Sequence, residues 1–387
     1  MSKGSNEPFF RRAYGRLVGQ LATRAGTHHL AAIEDAVQVS MMRAVERWPR
    51  DGEPQNPEAW LYRVAHRELQ GSLRRSARRQ ALLTEHAPPP EPDGGALLPL
   101  LSACCAEGQP ERTRLVLALK LVCGFDVREI AQRLFMGEGA VRKRLERGRR
   151  ALRAQGELGS FDAPSIRLMV YAIFAEGHLS HEAAVRAELC DEAIHLARTL
   201  VRTDGAPTSE ALLALVLLHT ARLPARRSET GALVLLEDQD RALYERAKIA
   251  EGLEALERSA RGNAYTRYHA EAAVAAAHAL SPSFEATPWQ DVVNAYAHLE
   301  RVSPSPLHRL NRALALAELG GAEAGLELLR DPPPSWLEGS YLWSLVLADL
   351  NRRAGHRQKA AYHRAQAVAL APEGPIRDAV RSRLSAV

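Results

Sequence analysis

Apolar residues recur along this chain at intervals of three and four, with little alternation, and Ala, Leu, Arg and Glu fill the long segments. That pattern predicts an all-α protein. A first helical block is expected from about Phe9 to Gln80, broken over Trp48 to Pro57, where WPRDGEPQNP gathers Pro, Gly and Asn. Before the break Ile33, Val37, Met41 and Val45 recur every four residues; after it Trp60, Leu61, Val64, Ala65 and Leu69 define a second amphipathic helix. HAPPPEPDGG then precludes a helix, and a flexible Pro/Gly-rich linker is expected over residues 81–96.

From Leu97 to Arg153 three short helices are expected, around Leu115 to Val122, Val127 to Leu134 and Gly139 to Leu152. Asp126 and Glu129 have the spacing of a reciprocal N-terminal cap, and Phe135, Met136 and Gly137 supply a tight turn. The third helix places Val141, Leu145, Gly148 and Leu152 on one face and a run of Arg and Lys on the others. A helix-turn-helix with a basic second helix has this shape. Beyond Phe161, amphipathic helices follow one another with breaks every ~15–25 residues, as stacked helical hairpins do. Residues 341–372 match the tetratricopeptide pattern at Leu347, Ala348, Gly355, Ala360, Ala367 and Pro372, and depart from it at Ser344, Asn351 and Arg364. The stretches 187–222 and 306–331 share only its spacing.

Composition narrows the function. The chain has 387 residues, enough for two or three domains, with four cysteines in no CxxC pair. The cysteines are expected to be buried small apolar residues. The longest apolar stretch, Ala211 to Leu218, is far short of the ~20 residues that span a bilayer, so a cytoplasmic protein with no membrane partner is expected. Residues 1–156 carry a net charge of +9 and residues 157–387 one of −4. Seven Lys or Arg fall in residues 142–153 and six Arg in residues 63–79, so the basic part is expected to meet a polyanion. His178, Ser180, His181 and Glu182 fall short of a zinc motif, which would need histidine at Val185. Gly137 and Gly139 start like a nucleotide fingerprint, but Arg142 stands at its sixth position. No enzyme, cofactor or metal is expected, and Trp48 with Trp60 are most simply core.

These residues resemble the extracytoplasmic-function (group IV) RNA polymerase sigma factors of the sigma-70 family. EDAVQVSMMRAVERWPRDGEPQNPEAWLYRVAHRELQGSLRR looks like sigma region 2, and LALKLVCGFDVREIAQRLFMGEGAVRKRLERGRRAL like region 4. AIFAEGH at 172–178 and LVLLEDQDRALYERAKIAEG at 233–252 are similar to the tetratricopeptide-like extension of one subgroup. The resemblance implies a region 2 helical bundle over 7–80, the linker, a region 4 helix-turn-helix over 97–156 and a helical extension over 160–387. It implies that Asp35, Gln38, Met42, Arg43 and Glu46 dock on the polymerase beta-prime clamp, with the beta flap as a second contact. It implies that Trp60, Tyr62, Arg63, Arg67, Arg74 and Arg75 hold the −10 element of promoter DNA and assist melting. Arg142, Lys143, Arg144 and Arg147 would meet the −35 element, where Arg suits a bidentate contact with guanine.

The linker spans at most ~65 Å, and two turns of B-DNA run ~70 Å between half-sites, so with the domains' own widths the tether suffices. The sequence departs from the family pattern at Arg67 and Gly71, where Asn and Asp are usual. The acidic extension is expected to touch the sigma domains or the polymerase and set activity in cis. The rival readings are a helix-turn-helix regulator with a sensing repeat domain that does not join the polymerase, and a repeat scaffold that merely adheres to nucleic acid. The regulator would not need the clamp-facing helix at 33–48.

Overall fold

A computed structural model describes residues 7–77, 97–105, 108–134, 136–158, 161–179, 183–226, 234–331, 340–371, 373, 377 and 380–381. The expected linker, Phe135, His181, Glu182 and Pro372 lie outside them. Among the described residues every regular element is a helix. The chain forms two compact units, Met1–Gly205 and Ala206–Val387.

The first unit begins with α1 (Glu7–Ala25), a single 3-10 turn (Thr27–His29), α2 (Leu30–Asp51) and α3 (Pro57–Ala77). The part of the expected helical block before residue 48 holds two helices, because Gly26 takes φ 83°, a left-handed conformation that ends α1. The break expected at Trp48 comes later. Helix α2 carries Pro49 in its last turn and stops at Gly52, whose amide donates to the Trp48 carbonyl at 3.1 Å. Pro49 has no amide to give the Val45 carbonyl and its ring crowds that carbonyl, which fits a helix about to end, while the neighbouring Trp48 stacks on Phe10 at 5.5 Å.

Next come α4 (Leu97–Cys104), α5 (Glu111–Leu121), α6 (Val127–Arg133) and α7 (Glu138–Gln155). The expected cap is present: the Glu129 amide donates to Asp126 Oδ1 at 2.7 Å and the Asp126 amide to Glu129 Oε2 at 2.6 Å. Helix α7 buries Val141, Leu145, Gly148 and Leu152, the stripe its period predicts. Gly148 is required there, since a Cβ would lie 2.3 Å from Leu117 Cδ1. Two further helices, α8 (Ala163–Leu179) and α9 (Ala183–Asp204), complete the unit, with α8 packed on α4 and α5. All four cysteines are buried and in no disulfide, and burial pushes the Cys105 thiol up to about 12.

The second unit is built on α10 (Pro207–Ala221), whose run Ala211 to Leu218 is buried on every side by α11 (Arg246–Ser259) and α12 (Arg267–Leu280). A helix apolar all round needs such a position. Helices α13 (Trp289–Val302), α14 (Pro306–Gly320), α15 (Ala322–Leu328), α16 (Tyr341–Arg353) and α17 (Arg357–Leu370) follow. In the stretch that matches the tetratricopeptide pattern, α16 and α17 form a hairpin that turns at Gly355, φ 79°. Asn351, at a position the pattern gives to an aromatic, is buried and satisfied by donating to the Leu347 carbonyl at 2.8 Å. Among the described residues no helix is long and apolar enough to cross a membrane, and no group of His, Cys, Asp or Glu is placed to hold a metal.

Candidate nucleic-acid and polymerase interface

Helix α3 turns Leu61, Ala65, Leu69 and Leu73 inward, a four-residue repeat, and so leaves Arg63, Arg67, Arg74 and Arg75 exposed on its other side. Gly71 lies within this basic face, where a Cβ would meet only Arg75 Nη1, at 3.5 Å. Trp60 is half-buried against Trp48, ring centroids 5.6 Å apart, in a cluster that also holds Phe9 and Phe10. Tyr62 does not lie on the basic face. It is 4% exposed, its hydroxyl accepts from Arg24 Nη1 at 2.7 Å and its ring stacks on His66 at 5.7 Å. Its neighbour Leu61 turns inward too, so the resemblance placed an interior tyrosine among surface residues.

Helix α2 buries Leu30, Ile33, Val37, Ser40, Ala44 and Trp48. Asp35, Gln38, Met42 and Glu46 lie exposed along the opposite side, with Met42 62% and Val45 61% accessible. The strict four-residue period that counted Val45 as core drifts against 3.6 residues per turn, and Val45 joins Met42 as an exposed apolar pair. Arg43 is tied to α3 by an ion pair with Glu68 at 2.7 Å. Two bare apolar side chains beside carboxylates and an amide suit a protein partner better than DNA.

On α7, Arg142, Lys143 and Arg147 are exposed, and Arg144 is half-buried with Nη1 on the Ala140 carbonyl at 3.4 Å. Arg142 pairs with Glu138 at 3.0 Å one turn back. Exposed pairs of this kind are worth well under ~1 kcal/mol, so a phosphate or guanine edge can take the guanidinium over at little cost. Arg149 points the other way, to Glu34 of α2 at 2.6 Å.

That pair belongs to a junction between the α1–α3 bundle and the α5–α7 helix-turn-helix that sequence reasoning missed. The Thr27 hydroxyl donates to the Leu152 carbonyl at 2.7 Å and the Thr27 amide to the Gly156 carbonyl at 3.0 Å. Arg11 reaches Glu129 at 3.0 Å and stacks over Phe125 at 4.5 Å, with Arg133 over the same ring at 4.2 Å. Glu34 also accepts from the Tyr14 hydroxyl at 3.1 Å. Helix α9 stitches this junction: Glu188 pairs with Arg11 at 3.2 Å and with Arg133. Glu192 is buried near Arg12, Arg11 and Arg16; burial pushes its carboxyl up to about 7, and those guanidiniums hold it from going further. The contacts that run directly between the bundle and the helix-turn-helix join residues over a hundred positions apart, which local periodicity cannot reveal.

Residues 10–79 match Sigma-70 region 2, residues 110–152 match Sigma-70, region 4, and residues 163–260 match a family of unknown function (DUF6596). The chain is 34% identical over 376 residues to the uncharacterized protein R00370 of Rhizobium meliloti (strain 1021), covering 89% of this chain and 87% of that relative. No solved structure matches the chain. The α1–α3 bundle is thus region 2, the α5–α7 segment is region 4, and the chain belongs to the sigma-70 family of promoter-recognition factors, with a helical DUF6596 extension behind its two sigma modules.

Proposed function

We propose that this chain is a sigma factor of the extracytoplasmic-function type. It binds core RNA polymerase through the exposed side of α2, meets the −35 element with α7 and the −10 element with α3, assists strand separation, and is regulated in cis by its helical extension. The observation that carries this reading is the simultaneous exposure of three separate faces on the two sigma modules, one mixed apolar and acidic and two basic: Asp35, Gln38, Met42 and Glu46 on α2, Arg63, Arg67, Arg74 and Arg75 on α3, and Arg142, Lys143 and Arg147 on α7. A plain helix-turn-helix regulator needs only the last of these. Sigma factors lack a catalytic centre of their own, and no enzyme activity is proposed.

Regulation in cis is supported by the closed junction. A compact unit of 205 residues is ~43 Å across, against ~70 Å for two turns of B-DNA, so region 2 and region 4 must separate before both promoter elements are held. Glu188 and Glu192 of the extension oppose that separation by engaging residues of region 2 and region 4.

The test is to mix the full chain with sigma-free core polymerase and a promoter library. Co-purification with the core and transcripts starting at defined sites are expected; binding to duplex DNA without either would favour the regulator reading instead. Met42→Asp is expected to lower core association at least tenfold with an unchanged melting temperature, because the side chain is exposed.

A further inference from the structure

In the second unit a set of cationic and donor groups is buried with no ion pair to an acid among the described residues. Arg222 follows α10 and is 8% exposed; its Nη2 donates to Gln239 Oε1 at 3.4 Å, and the Tyr244 hydroxyl donates to the same oxygen at 3.1 Å. Arg241, half-buried, donates from Nη1 to the Gln239 carbonyl at 3.2 Å. His278, in the last turn of α12, is 7% exposed and sits edge-on to Trp289 at 5.6 Å. Nε of Arg222, Nε and Nη2 of Arg241, and Nδ1 of His278 are all buried without a hydrogen-bond partner.

Neither guanidinium has an ion pair among the described residues. Glu285, the carboxylate that feels Arg241, is fully exposed, and Glu271 is engaged by Arg267 at 2.9 Å. Buried charges without counter-charges are costly, and a guanidinium cannot escape by releasing its proton. His278 has already done so: burial first, then Arg222 and Arg241, lower its pKa to about 3. The unfilled directions are therefore two N–H groups of Arg241, one of Arg222 and one imidazole nitrogen of His278, and the guanidinium N–H groups are donors of the kind that oxyanions satisfy.

We propose that Arg222, Arg241 and His278 form a binding site for a small oxyanion, the carboxylate or phosphate group of a ligand, between the end of α10, the 234–245 segment and the end of α12. Arg241 is the half-buried member and marks the entry side. The site is independent of the sigma reading and gives the extension a chemical input of its own.

The full chain is melted in sodium phosphate and, separately, in sodium acetate, each against sodium chloride at matched ionic strength. One of the two salts is expected to raise the melting transition saturably, by ~5–10 °C at a hundredfold excess over Kd, and which one does so identifies the anion class. Arg241→Met is expected to abolish the response and, in chloride alone, to melt above the parent, since an uncompensated charge has gone. A chain carrying Arg142→Gln and Arg147→Gln is expected to keep the response, which separates the site from the DNA-facing cations. The proposal is overturned if neither salt gives a saturable rise, if Arg241→Met responds like the parent or melts below it in chloride, or if the Arg142/Arg147 chain loses the response. Should Arg241→Met fail to fold, hydrogen exchange on the parent decides: slower exchange over 237–245 in the active salt supports the site, and unchanged exchange in both salts overturns it.

Discussion

Glu34 of region 2 and Arg149 of region 4 meet at 2.6 Å although 115 residues separate them in sequence. Glu34 is buried, Arg149 is partly exposed, and the half-buried Lys120 lies close enough for Glu34 to raise its pKa while desolvation, the larger effect, lowers it. Glu34→Ala leaves two cations facing each other, and a loss of about 2–3 kcal/mol in urea unfolding of the first unit is expected. Exchanging the charges, Glu34→Arg with Arg149→Glu, is expected to recover part of that loss, and failure of the double variant to improve on either single one would argue against a direct pair.

Gly15 of α1 lies so close to the Val122 carbonyl that a Cβ would sit 2.0 Å from its oxygen. Gly15→Ala must therefore push region 2 away from the end of α5, at a cost of ~1–3 kcal/mol or more. A larger radius in small-angle scattering is expected, together with higher promoter-specific transcript yield if closure restrains activity.

Gly71 offers the opposite case, with nothing but the Arg75 guanidinium near its missing Cβ. Gly71→Ala is expected to stabilise the chain by ~0.5–1 kcal/mol, measured as a higher urea midpoint at unchanged slope.

Two groups on α9 give opposed pH dependences. The folded-state pKa of Glu192 is raised from 4.5 to about 7, mainly by burial, so the folded chain holds its proton more tightly and stability falls as pH rises from 4.5 to 7. His195 is lowered from 6.5 to about 4, by burial and then by Arg16 and Arg12, so the unfolded chain takes up its proton first and stability rises with pH from 4 to 6.5. In the parent the two slopes largely cancel. Relative to the parent, Glu192→Gln is expected to expose a rise between pH 4 and 6.5, and His195→Asn a fall between pH 4.5 and 7, both read from denaturation at stepped pH.

Where a feature depends on neighbours in sequence, it was legible there. The Asp126 and Glu129 cap, the buried stripe of α7 and the outward basic side of α3 each follow from spacing of three or four. Tyr62 was misplaced because its partner, Arg24, lies on another helix. Val45 was misplaced because an exact four-residue repeat outruns the helix. Arg149, counted among the surface cations, turns inward only because Glu34 awaits it. The oxyanion site was invisible for a like reason: Arg222, Arg241 and His278 are far apart along the chain, and each looks ordinary in its own segment.

The DUF6596 match begins at residue 163 and runs past Gly205, so its first two helices belong to the unit that holds the sigma modules. Cutting the gene where region 4 ends, near Gly156, would therefore strip α8 from α4 and α5 and bare the surface that α8 covers on them. A fragment made that way would confuse lost regulation with an open, adhesive surface. The informative truncation ends at Gly205, after the last helix the promoter-binding half needs for its own integrity.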